Sequence, residues 1–363
     1  MATISLCMIV KDEEQVLGRC LDSVREAVDE IVIVDTGSRD RTKEIAKGYT
    51  DRIYDFQWID DFSAARNFSF SKGNGDFLFW LDADDVLEEK DRQSLIRLKD
   101  RIPSDVSAVM MPYHTAFDEE GRPVFSFERE RLIRREAFIS WQGRVHEVIA
   151  YRGKRMHGDV CVTHRSVKRT YPRRNLRIYE KQEEAGEPFS PRDQFYYGRE
   201  LYYHKLYDRA IQRLEEFLSQ GKGWKENCIE ACRVLSYCYR EKGNASKAMG
   251  ALTASFYYDE PRAEVCCEIG ELFMSLSRYE TAVFWYELAL KLPEKNHEGA
   301  FVSEDARGYL PCIQLCVCHD RLGNREKAIE YNLAAGRYRP RSEAYRKNLS
   351  YFGMESEHLQ KEK

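Results

Sequence analysis

The chain has 363 residues, of which 43% are hydrophobic and 33% charged, so it is an ordinary globular protein long enough for two domains. Its 57 basic and 61 acidic residues give a formal net charge of -4, which excludes a general electrostatic attraction to nucleic acid. The first apolar run, ISLCMIV, is too short for a signal sequence, and no later run reaches membrane-spanning length. We therefore expect a cytoplasmic protein without a membrane segment.

The first half of the chain alternates between predicted strands and helices. The short apolar runs ISLCMIV, EIVIVDT, DRIYDFQWI and FLFWL are typical of strands. Between them, QVLGRCLDSVREAV, a segment that Ser38 or Asp40 can cap, and FSAARNFSFSKG have the spacing of helices. This alternation predicts a Rossmann-like α/β domain with a mainly parallel sheet. AVMMPYHTAF and the turn DEEGRP then predict an antiparallel hairpin.

From about residue 172 the strand signals stop and a helical pattern repeats. Each of four segments has a helix, a polar turn and an alanine that begins a second packing face, at Ala210, Ala248, Ala282 and Ala328. The spacing of these paired helices and alanines resembles that of the tetratricopeptide family over about residues 191–341. Gly198 and Gly270, each twelve residues before an alanine, support that interpretation. No repeat has the usual tryptophan, so the count stays at three or four and an irregular helical bundle is the alternative.

These patterns divide the chain into three parts. We predict an α/β domain over 1–171, an all-α repeat domain over 172–352 and a polar tail over 353–363. Repeat arrays commonly present a concave face to a peptide or protein, which predicts a macromolecular partner. Repeats also mediate dimerisation, so a homodimer is a second use that the sequence allows.

Eleven cysteines, an odd number, argue against a disulfide framework. Eight of them lie in the helical half at helical spacings, as small buried hydrophobic residues do. A metal site at Cys312, Cys316, Cys318 and His319 is an alternative, but the segment lacks a paired CxxC signature.

The stretch FLFWLDADD places three carboxylates directly after an apolar strand. Ligands bind at the carboxyl ends of strands in open α/β sheets, and acids crowded there raise each other's pKa unless a cation relieves them. Asp82, Asp84 and Asp85 therefore predict a site for Mg²⁺ or Mn²⁺. The alternative is an acidic turn in which Asp85 caps the helix in VLEEKDRQSLIRL.

Four motifs in order carry a family resemblance: VKDEE, VDTGSRDRT, DFSAARN and the DAD of FLFWLDADD. Together they resemble the family 2 inverting glycosyltransferases with the GT-A fold, over residues 3 to about 170. The chain is most similar to the subgroup with tetratricopeptide repeats after the catalytic domain, which includes the sublancin-type peptide S-glycosyltransferases. The resemblance implies an inverting hexosyl- or N-acetylhexosaminyltransferase that uses a UDP-sugar.

The resemblance also implies which residues bind the donor. Ile9, Val10 and Glu13 would border the nucleotide base. Asp35 would accept hydrogen bonds from the uracil or its ribose, and Gly37 would allow close approach of the backbone. Arg66 would stand near the diphosphate or the metal acids, with a surface ion pair to Asp61 as the alternative. Arg144 would help to hold phosphate.

The remaining implied roles concern the metal and the acceptor. Asp82 would lie near the ribose and the metal, Asp84 would bind the metal, and His164 would complete its ligand shell. An inverting transfer needs one base on the acceptor side. We assign that base to Glu147, with His146 as second choice; an ion pair and a packing residue are the structural alternative for these two.

The resemblance leaves the acceptor open. The repeats favour a peptide or protein acceptor, and a cell-envelope glycan or lipid-linked sugar is the rival. A retired, nucleotide-sugar-binding adaptor is disfavoured by the retained acids, and a nucleotidyltransferase by the absence of a basic, glycine-rich loop after the first strand. The basic cluster RSVKRTYPRRNLR could flank the diphosphate, contact an acidic acceptor or solvate a linker.

Overall fold

The computed structural model describes residues 2–118, 121–167, 172–293 and 302–354. The chain groups into two compact units, of which unit 1 comprises Met1–Ala116 with Ser126–Tyr196, and unit 2 comprises Phe117–Phe125 with Tyr197–Lys363. The sequence placed the domain boundary at residue 171, whereas residues 172–196 group with unit 1. The predicted polar tail lies outside the described residues from position 355 onward.

The secondary structure follows the predicted alternation of strands and helices up to residue 98, after which six strands and two α-helices of the described chain lead to residue 203. In chain order the elements are β1 Ile4–Val10, α1 Leu17–Val24, β2 Glu30–Asp35, α2 Thr42–Lys47, β3 Ile53–Asp55, α3 Phe62–Phe70, β4 Phe77–Phe79, β5 Asp85–Val86, α4 Glu89–Leu98, β6 Val106–Phe117, β7 Pro123–Arg134, β8 Phe138–Gln142, β9 Val148–Tyr151, β10 Lys154–His157, β11 Val162–His164, α5 Arg174–Glu184 and α6 Pro191–Tyr203.

A mixed sheet forms the framework of unit 1. Its strand order is β3-β2-β1-β4-β7-β6-β11-β5, with β10 beside β6. The four strands predicted from the first 81 residues are parallel to one another, while β7 runs antiparallel to β4 and β5 antiparallel to β11. A separate antiparallel pair joins β8 to β9. The predicted Rossmann-like α/β domain is confirmed.

β1 is an interior strand of this sheet, between β2 and β4, and is almost completely buried. Six of its seven residues are buried, and Ile4, Leu6 and Met8 have no exposed surface, because sheet neighbours flank the strand and helices cover its faces. The third predicted strand is shorter than DRIYDFQWI and covers only Ile53–Asp55. Asp40 accepts a hydrogen bond from the backbone N–H of Thr42, 2.9 Å away, as expected of a residue at a helix start.

Unit 2 is built from helices in pairs. After α6 the elements are α7 Tyr207–Ser219, α8 Lys225–Glu241, α9 Ala245–Ala254, α10 Ala263–Ser275, α11 Tyr279–Lys291, β12 Val302–Ser303, α12 Tyr309–Arg321, α13 Arg325–Tyr338 and α14 Glu343–Phe352. All four marker alanines are fully buried. A Cβ at Gly270 would lie 2.8 Å from the ring of Tyr286, so glycine is required where α10 crosses α11. The predicted all-α repeat architecture is confirmed.

The cysteines act as packing residues. All eleven are free, and the eight in unit 2 are buried. In the described part of the chain, the group of side chains spaced to hold a metal ion contains no cysteine, so the alternative site around Cys312 gains no support. Within the same residues, no helix has both the length and the apolar character needed to cross a membrane.

Candidate active site

A cavity of about 580 Å³ opens at the carboxyl ends of β1, β2 and β4. This is the edge of the sheet at which the acidic motif predicts ligand binding. Ile9 to Lys11 end β1, Thr36 follows β2, and Asp82 to Asp84 follow β4. The complete lining is Ile9, Val10, Lys11, Glu13, Thr36, Trp58, Phe62, Arg66, Trp80, Asp82, Ala83, Asp84, Arg129, Val145, His146, Glu147, Pro172, Arg174, Asn175 and Arg177.

Arg66 connects the two sides of the cavity. Its side chain is 8% exposed; Nη2 donates to Asp82 Oδ1 at 2.8 Å and Nε donates to Glu147 Oε1. The guanidinium also lies 4.8 Å from the ring centre of Trp80 and 5.0 Å from that of Trp141, a cation–π arrangement on two rings. The alternative ion pair with Asp61 is wrong, because Asp61 caps α3 by accepting from the backbone N–H of Ala64.

This arrangement controls the charge of the neighbouring acid. Burial acts to raise the pKa of Asp82, but the charges of Arg66 and Arg131, with the Arg66 hydrogen bond, together outweigh it and hold the pKa below its usual range. Burial acts to lower the pKa of Arg66, and the carboxylates of Glu147 and Asp82 raise it instead. The three groups therefore form a charged cluster with Arg66 at its centre.

Glu147 and His146 lie on the loop between β8 and β9. His146 has a backbone φ of +53°, in the left-handed region that a residue with a Cβ seldom adopts. Asn67 fixes the start of the loop, because its side chain bonds both the N–H and the C=O of Trp141, at 2.8 and 3.0 Å. The loop thereby brings both predicted acceptor-side residues to the cavity wall.

Asp84, Asp85 and His164 form a second group, with ligand atoms within 4.8 Å of one another. His164 Nδ1 lies 3.5 Å from Asp84 Oδ1 and 3.3 Å from Asp85 Oδ1. The hydrogen bond to Asp85 raises the pKa of His164, against burial and aided by the charge of Asp84. Two carboxylates and one imidazole are a donor set that Mn²⁺ or Mg²⁺ accepts, so the residues present fit such an ion.

Asp85 is the buried member of this group. It pairs with His164 between β5 and β11, and it is fully buried beside Arg131, 3.1 Å away, and the hydroxyl of Tyr113, 2.8 Å away. The alternative in which Asp85 caps the next helix is wrong, because α4 begins after Glu88. Asp82, which the sequence also assigned to the metal, lies outside the group and is bound to Arg66 instead.

The predicted donor residues divide between the wall of the cavity and its support. Val10 and Glu13 line the cavity, whereas Asp35 and Gly37 lie outside the lining. Asp35 Oδ1 accepts from the backbone N–H groups of Gly37 and Ser38, both at 2.9 Å, and shapes the turn after β2. Gly37, at φ +104°, needs the freedom that glycine provides. Asp35 Oδ2 is buried without a hydrogen-bond partner among the described residues.

The basic residues considered for the site also fall into two groups, inside and outside the cavity lining. Arg144 pairs with Glu187 at 2.7 Å and does not line the cavity. Of the basic cluster, Arg174 and Arg177 line the cavity, and residues 168–171 lie outside the described chain. The Arg174 guanidinium stacks on Phe62, 4.4 Å from the ring centre.

Sequence reasoning missed the aromatic and basic side chains that complete the wall. Trp58 and Phe62 come from the segment around the start of α3, and Arg129 comes from β7. The alternation FERERL was a usable signal for Arg129 and Arg131, since arginines two residues apart share one face of a strand. Trp58 and Phe62 carried no comparable signal.

Two family models match parts of this chain. Residues 5–154 match the model of glycosyl transferase family 2, and residues 263–296 match a tetratricopeptide repeat. A TPR repeat-containing protein of Synechococcus elongatus is 38% identical over 151 residues, which are 41% of this chain and 36% of that protein.

Two relatives bear the names of glycosyltransferases. The SPbeta prophage-derived glycosyltransferase SunS of Bacillus subtilis is 25% identical over 258 residues, covering 67% of this chain and 60% of that protein. A lipopolysaccharide core biosynthesis glycosyltransferase of Rhizobium meliloti, LpsC, is 27% identical over 157 residues, covering 41% of this chain and 58% of that protein. The chain thus spans less than two thirds of the length of these relatives.

The matched ranges coincide with the two architectures of the molecule. The family 2 match lies within the region that contains the mixed sheet and most of the cavity wall, and the repeat match begins with α10. The family matched by the first region and these two relatives all carry the name of glycosyltransferases. Residues 5–154 of the chain are thus similar to glycosyl transferase family 2, and helical repeats of the tetratricopeptide type follow them.

Proposed function

We propose that this protein is a metal-dependent inverting glycosyltransferase that moves a sugar from a UDP-sugar to a side chain of a peptide or protein. The observation that carries the proposal is the meeting of Asp84, Arg66 and Glu147 at one cavity on the ligand-binding edge of the sheet. A volume of about 580 Å³ is within the range of small-molecule sites.

The donor would occupy the part of the cavity bounded by β1 and β2. Val10 and Glu13 line this part and would border the base. Asp35 Oδ2, which has no hydrogen-bond partner among the described residues, would accept a hydrogen bond from a ribose hydroxyl or the uracil. The cations Arg174 and Arg177 line the same cavity and suit the negative charge of a diphosphate.

Asp84 and His164 would hold the divalent ion. Asp85 would fix the imidazole ring of His164 through the hydrogen bond between them. When bound, Mn²⁺ or Mg²⁺ would neutralise charge on the departing nucleoside diphosphate. Asp82 is held by Arg66 and would face the donor beside this ion.

Glu147 would act as the base toward the acceptor. Arg66 binds its Oε1, which leaves Oε2 without a hydrogen-bond partner in the part of the chain that the structure describes. An acceptor X–H group would give its proton to Oε2 as X attacks the anomeric carbon opposite the leaving group. Arg66 would keep the carboxylate oriented for this step through its contact with Oε1, which is not the reacting oxygen.

The repeats of unit 2 support a macromolecular acceptor, because such arrays commonly bind peptides or proteins. One observation favours a second candidate: a relative carries the name of a lipopolysaccharide core biosynthesis glycosyltransferase. A cell-envelope glycan is therefore the rival acceptor, with the same donor chemistry at the cavity.

The experiment that tests the proposal is thermal unfolding of the purified protein against UDP-, GDP- and CMP-sugars, with and without Mn²⁺. A ligand that binds only the folded state increases the free energy of unfolding, by about 2.7 kcal/mol at a hundredfold excess over Kd, and so raises the midpoint temperature. We expect a rise with one UDP-sugar that requires Mn²⁺. The absence of any shift with every donor would contradict a nucleotide-sugar site and overturn the proposal.

The Asp84→Asn variant isolates the metal. It should lose this Mn²⁺-dependent shift and at least about 100-fold in transfer rate, because a single charged group at the reacting centre is worth that much. Asp22→Asn, at an exposed carboxylate on α1, is the matched control and should behave as the unmodified protein. Full turnover by Asp84→Asn would remove the metal from the proposal.

A further inference from the structure

The loop that carries Glu147 is held by a segment that lies beyond the family 2 match. We define the Glu147 loop as residues 143–147, between β8 and β9, and the clamp segment as residues 187–196, which include the start of α6. Both belong to unit 1. Three side chains of the clamp segment contact the Glu147 loop, each by a different kind of interaction.

The first contact is a ring stack. The imidazole of His146 lies parallel to the ring of Tyr196, with 4.2 Å between the ring centres and 17° between the planes. The ring centres are close enough for direct contact over the faces, so the tyrosine restricts where the imidazole can lie. The position of the side chain in turn restricts the backbone from which it projects.

The second contact fixes that backbone directly. Arg192 Nε donates to the carbonyl oxygen of His146 at 3.1 Å, and the Arg192 guanidinium lies 4.7 Å from the ring centre of Tyr196. Arg192 therefore binds both partners of the stack. The carbonyl it holds belongs to the peptide bond between His146 and Glu147, so its direction determines where the Glu147 backbone begins.

The third contact anchors the other end of the loop. Arg144 pairs with Glu187 at 2.7 Å, and the Arg144 carbonyl accepts from the backbone N–H of Phe62 at 2.9 Å. Arg144 does not line the cavity, and its two contacts connect the loop to Glu187 and to Phe62.

These contacts surround a backbone conformation that needs outside support. A non-glycine residue at φ +53° persists where neighbouring groups over-determine it, and such residues cluster at functional sites. His146 directly precedes Glu147, so relaxation of His146 into an ordinary conformation would swing the Glu147 carboxylate away from Arg66. The stack and the Arg192 hydrogen bond are the contacts that oppose this relaxation.

We infer that Tyr196 and Arg192 are positioning residues for the reaction: they hold His146 in its left-handed conformation and thereby aim the Glu147 carboxylate into the cavity. This inference rests on the proposed function for its catalytic consequence. It assigns to residues outside the family 2 match a part in shaping the acceptor side of the site.

The test compares Tyr196→Ala with two controls. Tyr196→Phe keeps the stacked ring, and Tyr203→Ala removes another tyrosine of α6 whose side chain is 42% exposed. We expect Tyr196→Ala to lower kcat about tenfold or more with the donor KM within about twofold, because misplacement of a reacting group by even 1 Å is costly. Tyr196→Phe and Tyr203→Ala should stay within about twofold of the unmodified protein in both constants.

A second readout does not depend on activity. Hydrogen exchange of the backbone amides of residues 143–147 should become faster in Tyr196→Ala and stay unchanged in Tyr203→Ala. Arg192→Met, which keeps the ring stack but has no hydrogen-bond donor for the His146 carbonyl, should speed the same amides and serves if Tyr196→Ala fails to fold.

The two hypotheses fail in different ways. Unchanged exchange in the loop of both clamp variants, or a raised donor KM with an unchanged kcat, would overturn the positioning role. Absence of transfer by the unmodified protein with every donor and acceptor would instead overturn the proposed function, and the exchange measurement would still decide the inference.

Discussion

Arg66 in unit 1 and Arg233 in unit 2 each lie between two carboxylates, with side chains 8% and 17% exposed, yet their surroundings differ. Arg233 pairs with Glu230 at 2.8 Å and Glu268 at 2.5 Å, and Tyr237 adds a hydroxyl bond to Glu268 at 2.8 Å. The space beside Arg233 is only about 10 Å³, against about 580 Å³ beside Arg66. A buried arginine between acids therefore does not by itself mark an active site.

The carboxylates respond differently as well. Burial acts to raise the pKa of both acids: at Asp82 the charges of Arg66 and Arg131 together hold the pKa below its usual range, whereas at Glu268 burial prevails and raises the pKa even though Arg233 opposes it. The side chain of Asp82 is 41% exposed and that of Glu268 only 8%. The Arg66 cluster faces an open cavity, so its carboxylate stays near solvent. The Arg233 cluster has almost no space beside it and connects α8 to α10.

The largest expected effect separates these two roles by stability. Arg233→Met should lower the free energy of unfolding by about 3 kcal/mol or more, because it leaves two carboxylates buried without their cation. Arg240→Met is the matched control: Arg240 pairs with Glu271, which is 53% exposed, so its loss should cost less than about 1 kcal/mol. Denaturant unfolding measures both, and equal losses would contradict the distinction.

The next effect tests the opposite prediction for Arg66. Arg66→Met should slow transfer by about 100-fold, because Glu147 loses its orienting partner and Asp82 its cation. Its free energy of unfolding should fall less than that of Arg233→Met, since water in the cavity can hydrate the released carboxylates. Transfer rates and denaturant midpoints, taken together, would refute the comparison if Arg66→Met lost stability but retained activity.

The smallest expected effect concerns a buried side chain with no ion pair. His319 in α12 is 4% exposed, stacks on Tyr331 with 5.4 Å between ring centres, and has neither ring nitrogen bonded among the described residues. Burial lowers the pKa of His319 below its ordinary value of 6.5. The unfolded chain then binds the proton more readily, so this contribution to stability is present above pH 6.5 and is lost as the pH falls from there toward the folded-state pKa.

The free energy of unfolding should therefore fall between pH 7 and 5. His319→Phe keeps a ring on Tyr331 but cannot take up a proton, so its unfolding free energy should depend less on pH over this range. The same pH dependence in the unmodified protein and in His319→Phe would show that other groups cause it.

The sequence by itself determined the element types and the edge of the sheet used for binding. Apolar runs with acids after them fixed β1, β2 and β4 as buried strands, and the residues Val10, Glu13, Asp82 and Asp84 that follow or end them do line or border the cavity. The alanine and glycine spacing likewise predicted the helix pairs of unit 2. These features are local, because periodicity and strand ends depend on neighbouring residues in the chain.

Only the tertiary structure decided the partners. Arg66 binds Glu147, 81 residues away in the chain, and His164 meets Asp85 across 79 residues, distances over which a single sequence carries no pairing information. The same holds for Tyr196 on His146 and for the packing of residues 172–196 with unit 1. Charge and aromatic character were visible in the sequence, but which groups neutralise or stack on each other depends on how the strands and loops bring them together.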